Sequence, residues 1–208
     1  MLYRRSALLL ASSLGFALAQ TPPDIPNFTG PVTIVLRSDS AVSGDILNAM
    51  EREADSLVAP SNIRITWTSR TGSSEVFDRV AVIRLRGACR ADLPLIARAD
   101  VDTAALGQTQ VVDGKVLPFA DVRCNPVRAL IARDLAGEPS DEREDLLGRA
   151  LGRVLAHELY HILLRTTAHG SQGLARPAQS SSDLIADRDT FAPADEQKLT
   201  RLFASTTR

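Results

Sequence analysis

The stretch PSDEREDLLGRALGRVLAHELYHILL, residues 139–164, is the most clearly patterned part of this 208-residue chain. Leu147, Leu151, Val154, Leu155 and Ile162 recur at helical spacing, which predicts a helix over about 141–164. Ser140 is expected to cap its free amides, and Asp141, Glu142, Glu144 and Asp145 put negative charge at the positive end of the helix dipole. Gly148 and Gly152 each weaken helix propensity, so their presence predicts close backbone packing at that point.

Val32-Thr33-Ile34-Val35-Leu36 reads as a buried strand ending at Ser38-Asp39-Ser40. Ile46, Met50, Ala54, Leu57 and Val58 then define a helix over about 41–59, stopped by Pro60. Ile63–Thr68 alternates apolar and polar residues as a half-buried strand does, and Val80–Leu85 is another strand after the Gly72-Ser73-Ser74 loop. Leu106–Val112 and Val116–Val122 flank Asp113-Gly114, a strong hairpin signal that suggests an antiparallel sheet edge. After residue 164 come a polar loop and a last amphipathic helix, about 193–204, with Leu199, Leu202 and Phe203 facing inward.

The N-terminus has the layout of a secretory signal peptide over residues 1–19. Arg4 and Arg5 precede a short apolar run, and Ala17-Leu18-Ala19 offers a cleavage site before Gln20. The alternative is an uncleaved anchor, which the shortness of the apolar run opposes. Residues 20–31, with Pro22, Pro23, Pro26 and Gly30, form an extended leader that carries the sequon Asn27-Phe28-Thr29. In an exported, oxidised protein Cys89 and Cys124 default to a disulfide, two free buried thiols being the alternative. The formal charge is -1, and the 22 arginines are scattered among acids, so neither nucleic acid nor a membrane surface is an expected partner.

The chemistry is concentrated in His157-Glu158-Leu159-Tyr160-His161, an H-E-x-x-H placed inside the long helix. Residues four apart lie on one helix face, so two imidazoles can reach one metal ion while Glu158, next to His157, can reach a metal-bound water. With three His and eight Glu in 208 residues, a chance occurrence of this pattern has a probability of about two in a thousand. Catalytic zinc needs a third protein ligand and an open position, and His169 is the one remaining histidine. The competing readings are a surface pair of helical histidines with a third in a loop, or a histidine capping the helix C-terminus.

This segment resembles the active-site helix of the zincin metallopeptidases, and the following His makes it most similar to the metzincin branch, matrixins especially. Metzincins carry H-E-x-x-H-x-x-G-x-x-H and, further on, a turn with a Met beneath the metal. Here Leu164 stands at the Gly position, and His169 follows His161 by eight residues instead of six. Ala175, in Gly173-Leu174-Ala175-Arg176, stands at the Met position. The chain is also similar to a group of exported bacterial proteins carrying H-E-L-x-H-x-L-L, a His soon after, and then G-I-M or G-L-M. The match runs over roughly residues 140–176.

The resemblance implies an α+β, zincin-like fold, with a twisted, mainly antiparallel or mixed sheet packed on the active-site helix and a second helix. Residues 32–208 would form one metallopeptidase domain. It further implies an exported zinc-dependent endopeptidase in which His157, His161 and His169 hold Zn2+ and Glu158 takes a proton from zinc-bound water. The peptide would pair with an edge strand, Val116–Val122 or Val80–Leu85 being the candidates. Tyr160, Arg165 and Thr166 are assigned no role. Should His169 not be the ligand, Asp183 or Asp187 is the substitute. The competing functions are a zincin-fold protein that holds zinc without turnover and a zinc hydrolase of a non-peptide amide. The expected partner is a peptide or protein substrate, and the expected state is a monomer.

Overall fold

Strand β1 (Val32–Ser38) runs into helix α1 (Gly44–Val58), which Ser43 opens by accepting the Ile46 amide on its hydroxyl. A short 3-10 turn, Ala59–Ser61, and Asn62 in the left-handed region at φ 60° end the helix before strand β2 (Ile65–Thr68). The computed structural model describes residues 30–69, 77–93 and 105–203. The expected signal peptide, the leader through residue 29 with its sequon, and the 72–74 loop lie outside these residues.

Strand β3 (Val80–Arg86), strand β4 (Gly107–Val112) and strand β5 (Lys115–Arg123) complete a five-stranded sheet of order β2-β1-β3-β5-β4. The fold is α+β and the sheet is mixed, but parallel pairing dominates it. Strands β1/β2, β1/β3 and β3/β5 pair in parallel, and only β4/β5 is antiparallel. The mainly antiparallel expectation is therefore corrected. Helix α1 carries the chain back along the sheet between β1 and β2, and such a crossover sets successive strands parallel. The hairpin is where it was predicted: Asp113 and Gly114 have φ of 50° and 73°, the positive pair that a tight two-residue hairpin turn requires.

Two short helices, α2 (Cys124–Leu130) and α3 (Ala132–Leu135), follow β5 directly. Neither is long enough to show a helical period in the sequence. A disulfide joins Cys89, after β3, to Cys124 at the start of α2, and both cysteines are fully buried. Helix α4 (Ser140–Leu164) begins one residue earlier than expected. Pro139, in extended conformation, is the cap residue and no side chain caps the amides; Ser140 is already inside the helix. Helix α5 (Ser181–Ile185), opened by a Ser180–Asp183 capping box, interrupts what was expected to be loop, and helix α6 (Pro193–Phe203) ends the described chain. No helix among the described residues is long and apolar enough to cross a membrane.

Helix α4 lies against α1 and reaches β3, β4 and β5, so it is the element on which the core is assembled. The two glycines sit at its crossing with α1. A Cβ at Gly148 would stand 2.5 Å from Ala49 Cβ and 2.6 Å from the Ile46 carbonyl, and one at Gly152 would stand 2.7 Å from the Met50 carbonyl. The helix backbones approach because nothing projects between them. Arg153, one turn before His157 and 1 % exposed, locks the same region: its Nε donates to Glu53 on α1 at 2.7 Å, and its Nη1 donates to the Asp183 carbonyl at 2.6 Å. Gly148→Ala is expected to cost about 1–3 kcal/mol through overpacking, read as a lower urea midpoint with an unchanged slope; wild-type stability would contradict the close crossing.

Candidate metal centre

The last turns of α4 place His157 and His161 one above the other, with their Nε2 atoms 3.1 Å apart. The opposite nitrogen of each ring is tied to a backbone carbonyl. His157 Nδ1 donates to Leu174 O and His161 Nδ1 to Thr166 O, both at 2.8 Å. A carbonyl only accepts, so the proton of each neutral ring sits on Nδ1 and both Nε2 lone pairs face inward. The helix then stops at Arg165, in the left-handed region at φ 51°, with the Thr166 amide bonded back to the His161 carbonyl. That turn brings His169 round, and its ring centroid lies 5.3 Å from that of His157 and 4.7 Å from that of His161. The ligand atoms of the three histidines all lie within 4.8 Å of one another.

This donor set fits zinc. Zn–N bonds of about 2.0–2.1 Å in a tetrahedron put neighbouring nitrogens about 3.3 Å apart, close to the 3.1 Å between His157 and His161. Two lone pairs at that distance repel unless a cation or proton lies between them. Burial pushes the His157 and His161 imidazoles below their usual 6.5, which opposes the proton. The carbonyl partners hold each ring in its ligating tautomer, the usual support for a metal-binding histidine.

Glu158 is 4 % exposed and lies beside the cluster without joining its three converging nitrogens. Its Oε2 accepts a 2.6 Å hydrogen bond from the Thr109 hydroxyl on β4. Gly107, also on β4, leaves room for the other oxygen: a Cβ there would be 2.5 Å from Oε1. Burial raises the carboxyl above the usual range, with the Thr109 hydrogen bond and the nearby His161 acting in the opposite direction. A cavity of about 610 Å3 opens over these groups, walled by β4, by Pro126, Ala129 and Leu130 of α2, and by the 176–179 segment.

The three expected ligands converge, whereas the substitutes do not join them. Asp183 is committed to Ser180 and to Arg176 at 2.8 Å, and Asp187 is exposed beside Arg149. Tyr160 points away from the cluster, donating to Asp195 at 3.0 Å. Neither candidate substrate strand is an edge: β3 and β5 are interior, and the edge strand beside Glu158 is β4. Ala175 is fully buried, and the segment that contains it does support the site, but through the Leu174 carbonyl rather than a Met side chain. The sequence did not point to Thr109, Gly107, the two carbonyl acceptors, or Gln179, whose Nε2 also donates to Leu174 O at 2.7 Å. No protein-family model and no curated protein matches this chain.

The titrations have opposite signs. Glu158 titrates above 4.5 in the folded protein, so as pH rises from that value through the folded-state pKa, its ionisation takes stability away. His157 and His161 titrate below 6.5, so stability is lost as pH falls below that value and the unfolded chain binds protons first. Glu158→Gln keeps the shape and discards the buried charge. At pH 7, in chelator, its Tm is expected to rise by roughly 2–4 °C, the response of a domain this size to about 1 kcal/mol. An unchanged or lower Tm would contradict the cost assigned to burying this carboxylate.

Proposed function

We propose that the chain is an exported, zinc-dependent metalloendopeptidase of zincin-like fold, in the metzincin-like branch of that group. The observation that carries the reading is the pairing of two facing Nε2 atoms, each imidazole fixed through Nδ1, with a third histidine in reach and a buried carboxylate just outside the ligand set. A site that only held a metal would have no use for that carboxylate. The packing of a mixed sheet on α4 and α1 supports the fold assignment, and the Cys89–Cys124 disulfide supports export.

His157, His161 and His169 would hold the zinc. Bound zinc supplies Lewis acidity, polarising the scissile carbonyl and acidifying water. Thr109 occupies Glu158 Oε2, so Oε1 is the atom that receives the proton from the attacking water and later delivers it to the leaving nitrogen. The burial that raises the Glu158 pKa makes the carboxylate a better base. The outer edge of β4, one strand away from β5, offers backbone groups on which an extended peptide can pair beside Glu158. Apolar side chains of α2 give the neighbouring cavity a preference for an apolar substrate residue.

The test is cleavage of a peptide library by the zinc-loaded protein and by Glu158→Gln. The wild type is expected to cleave and the variant to lose roughly 10²–10⁴-fold in kcat while binding zinc as well as the wild type. Cleavage undiminished in the variant would remove Glu158 as the base. No cleavage by the zinc-loaded wild type would favour a zinc-holding protein or a hydrolase of another amide.

A further inference from the structure

His169 differs from its two neighbours in how it is held. It is exposed, and among the described residues no hydrogen bond orients its imidazole, whereas His157 and His161 are each fixed through Nδ1. Such a ligand has to be placed through its backbone. The Gly170 amide donates to the Ala175 carbonyl at 2.8 Å. On its other side Gly170 lies directly on Asp195: a Cβ at this position would collide with Asp195 Oδ2 and stand 3.1 Å from Ala175 Cβ.

Asp195 is itself tightly held. It lies in the first turn of α6, is 3 % exposed, and accepts on Oδ1 from the Tyr160 hydroxyl at 3.0 Å and from Lys198 Nζ at 2.7 Å. Tyr160 directly precedes His161 on α4 but points to the side away from the cluster, where its ring stacks on Phe191 at 5.8 Å and 22°. Phe191 in turn bridges to the backbone of Gly173, at the far end of the same loop. One buried carboxylate therefore touches the neighbour of the second histidine and the neighbour of the third.

We infer that Asp195 is a positioning residue for the metal site: anchored to α4 through Tyr160, it seats the Gly170 backbone and so sets His169 over the other two imidazoles. Glycine is required at position 170 because no side chain fits between Asp195 and Ala175. The inference rests on the proposed zinc site. Its physical benefit is preorganisation, since a ligand on a loop already in place loses little conformational freedom when the metal binds.

Zinc affinity, measured by competition with a chromophoric chelator, tests it in two backgrounds. Gly170→Ala is expected to weaken zinc binding about 10–100-fold, the range for loss of a supporting residue, and about as much as His169→Ala does. In the His169→Ala background the same substitution should add less than about twofold, because there is no third ligand left to misplace. Tyr160→Phe, which removes one hydroxyl and preserves the packing, should weaken zinc binding at least about threefold with His169 present and leave it unchanged without. Melting of the metal-free variants shows whether each is folded, and should Gly170→Ala fail to fold, Tyr160→Phe decides. Wild-type affinity in the deciding variant, or an equal loss in both backgrounds, would overturn the positioning role alone. A wild type that binds no zinc, or a His169→Ala variant that binds it undiminished, would overturn the proposed site and the inference with it.

Discussion

Two imidazole nitrogens 3.1 Å apart, each presenting a lone pair to the other, form an arrangement that must be enforced from outside. The enforcement comes from two carbonyls, Leu174 O and Thr166 O, which accept the Nδ1 protons. Both belong to the chain that leaves α4, and both depend on the left-handed turn at Arg165 that sends it back across the helix end. Like lone pairs brought together favour a cation between them, and the burial that lowers the pKa of both rings opposes a proton there. The arrangement therefore suits a metal ion, in keeping with the proposed function.

The helix that carries this pair is fixed at its middle. Gly148 and Gly152 let α4 settle directly onto α1, and buried Arg153 then joins it to Glu53 and to the Asp183 carbonyl. With the helix axis set, the edge strand β4 meets its face at Glu158, where Gly107 makes room and Thr109 supplies a hydrogen bond. Sheet order thus sets the surroundings of the carboxylate. The same strand that orients the carboxylate is an edge of the sheet among the described residues.

Much of this was legible in the sequence where the signal is local. The H-E-x-x-H face follows from the helical period, the hairpin from Asp113-Gly114, close backbone packing on α4 from Gly148 and Gly152, and the disulfide from an even pair of cysteines behind an expected signal peptide. What depends on tertiary pairing was not. Nothing in Val80–Arg86 or Lys115–Arg123 says that these strands are interior and parallel, so neither offers the edge that the sequence reading expects of them. Ser140 satisfies the composition of a cap, yet Pro139 takes that position because the chain enters the helix one residue earlier. The carbonyl acceptors of the histidines are backbone groups and leave no mark on the sequence. Asp195 lies 26 residues beyond His169, and its contact with Gly170 exists only once α6 has folded back.

X-ray absorption at the zinc edge of the purified protein, with zinc counted by elemental analysis, tests the three-histidine site most directly. One zinc per chain is expected, with three imidazole nitrogens at about 2.0–2.1 Å and one further oxygen. No zinc after reconstitution, or zinc with fewer than three imidazoles, would contradict it.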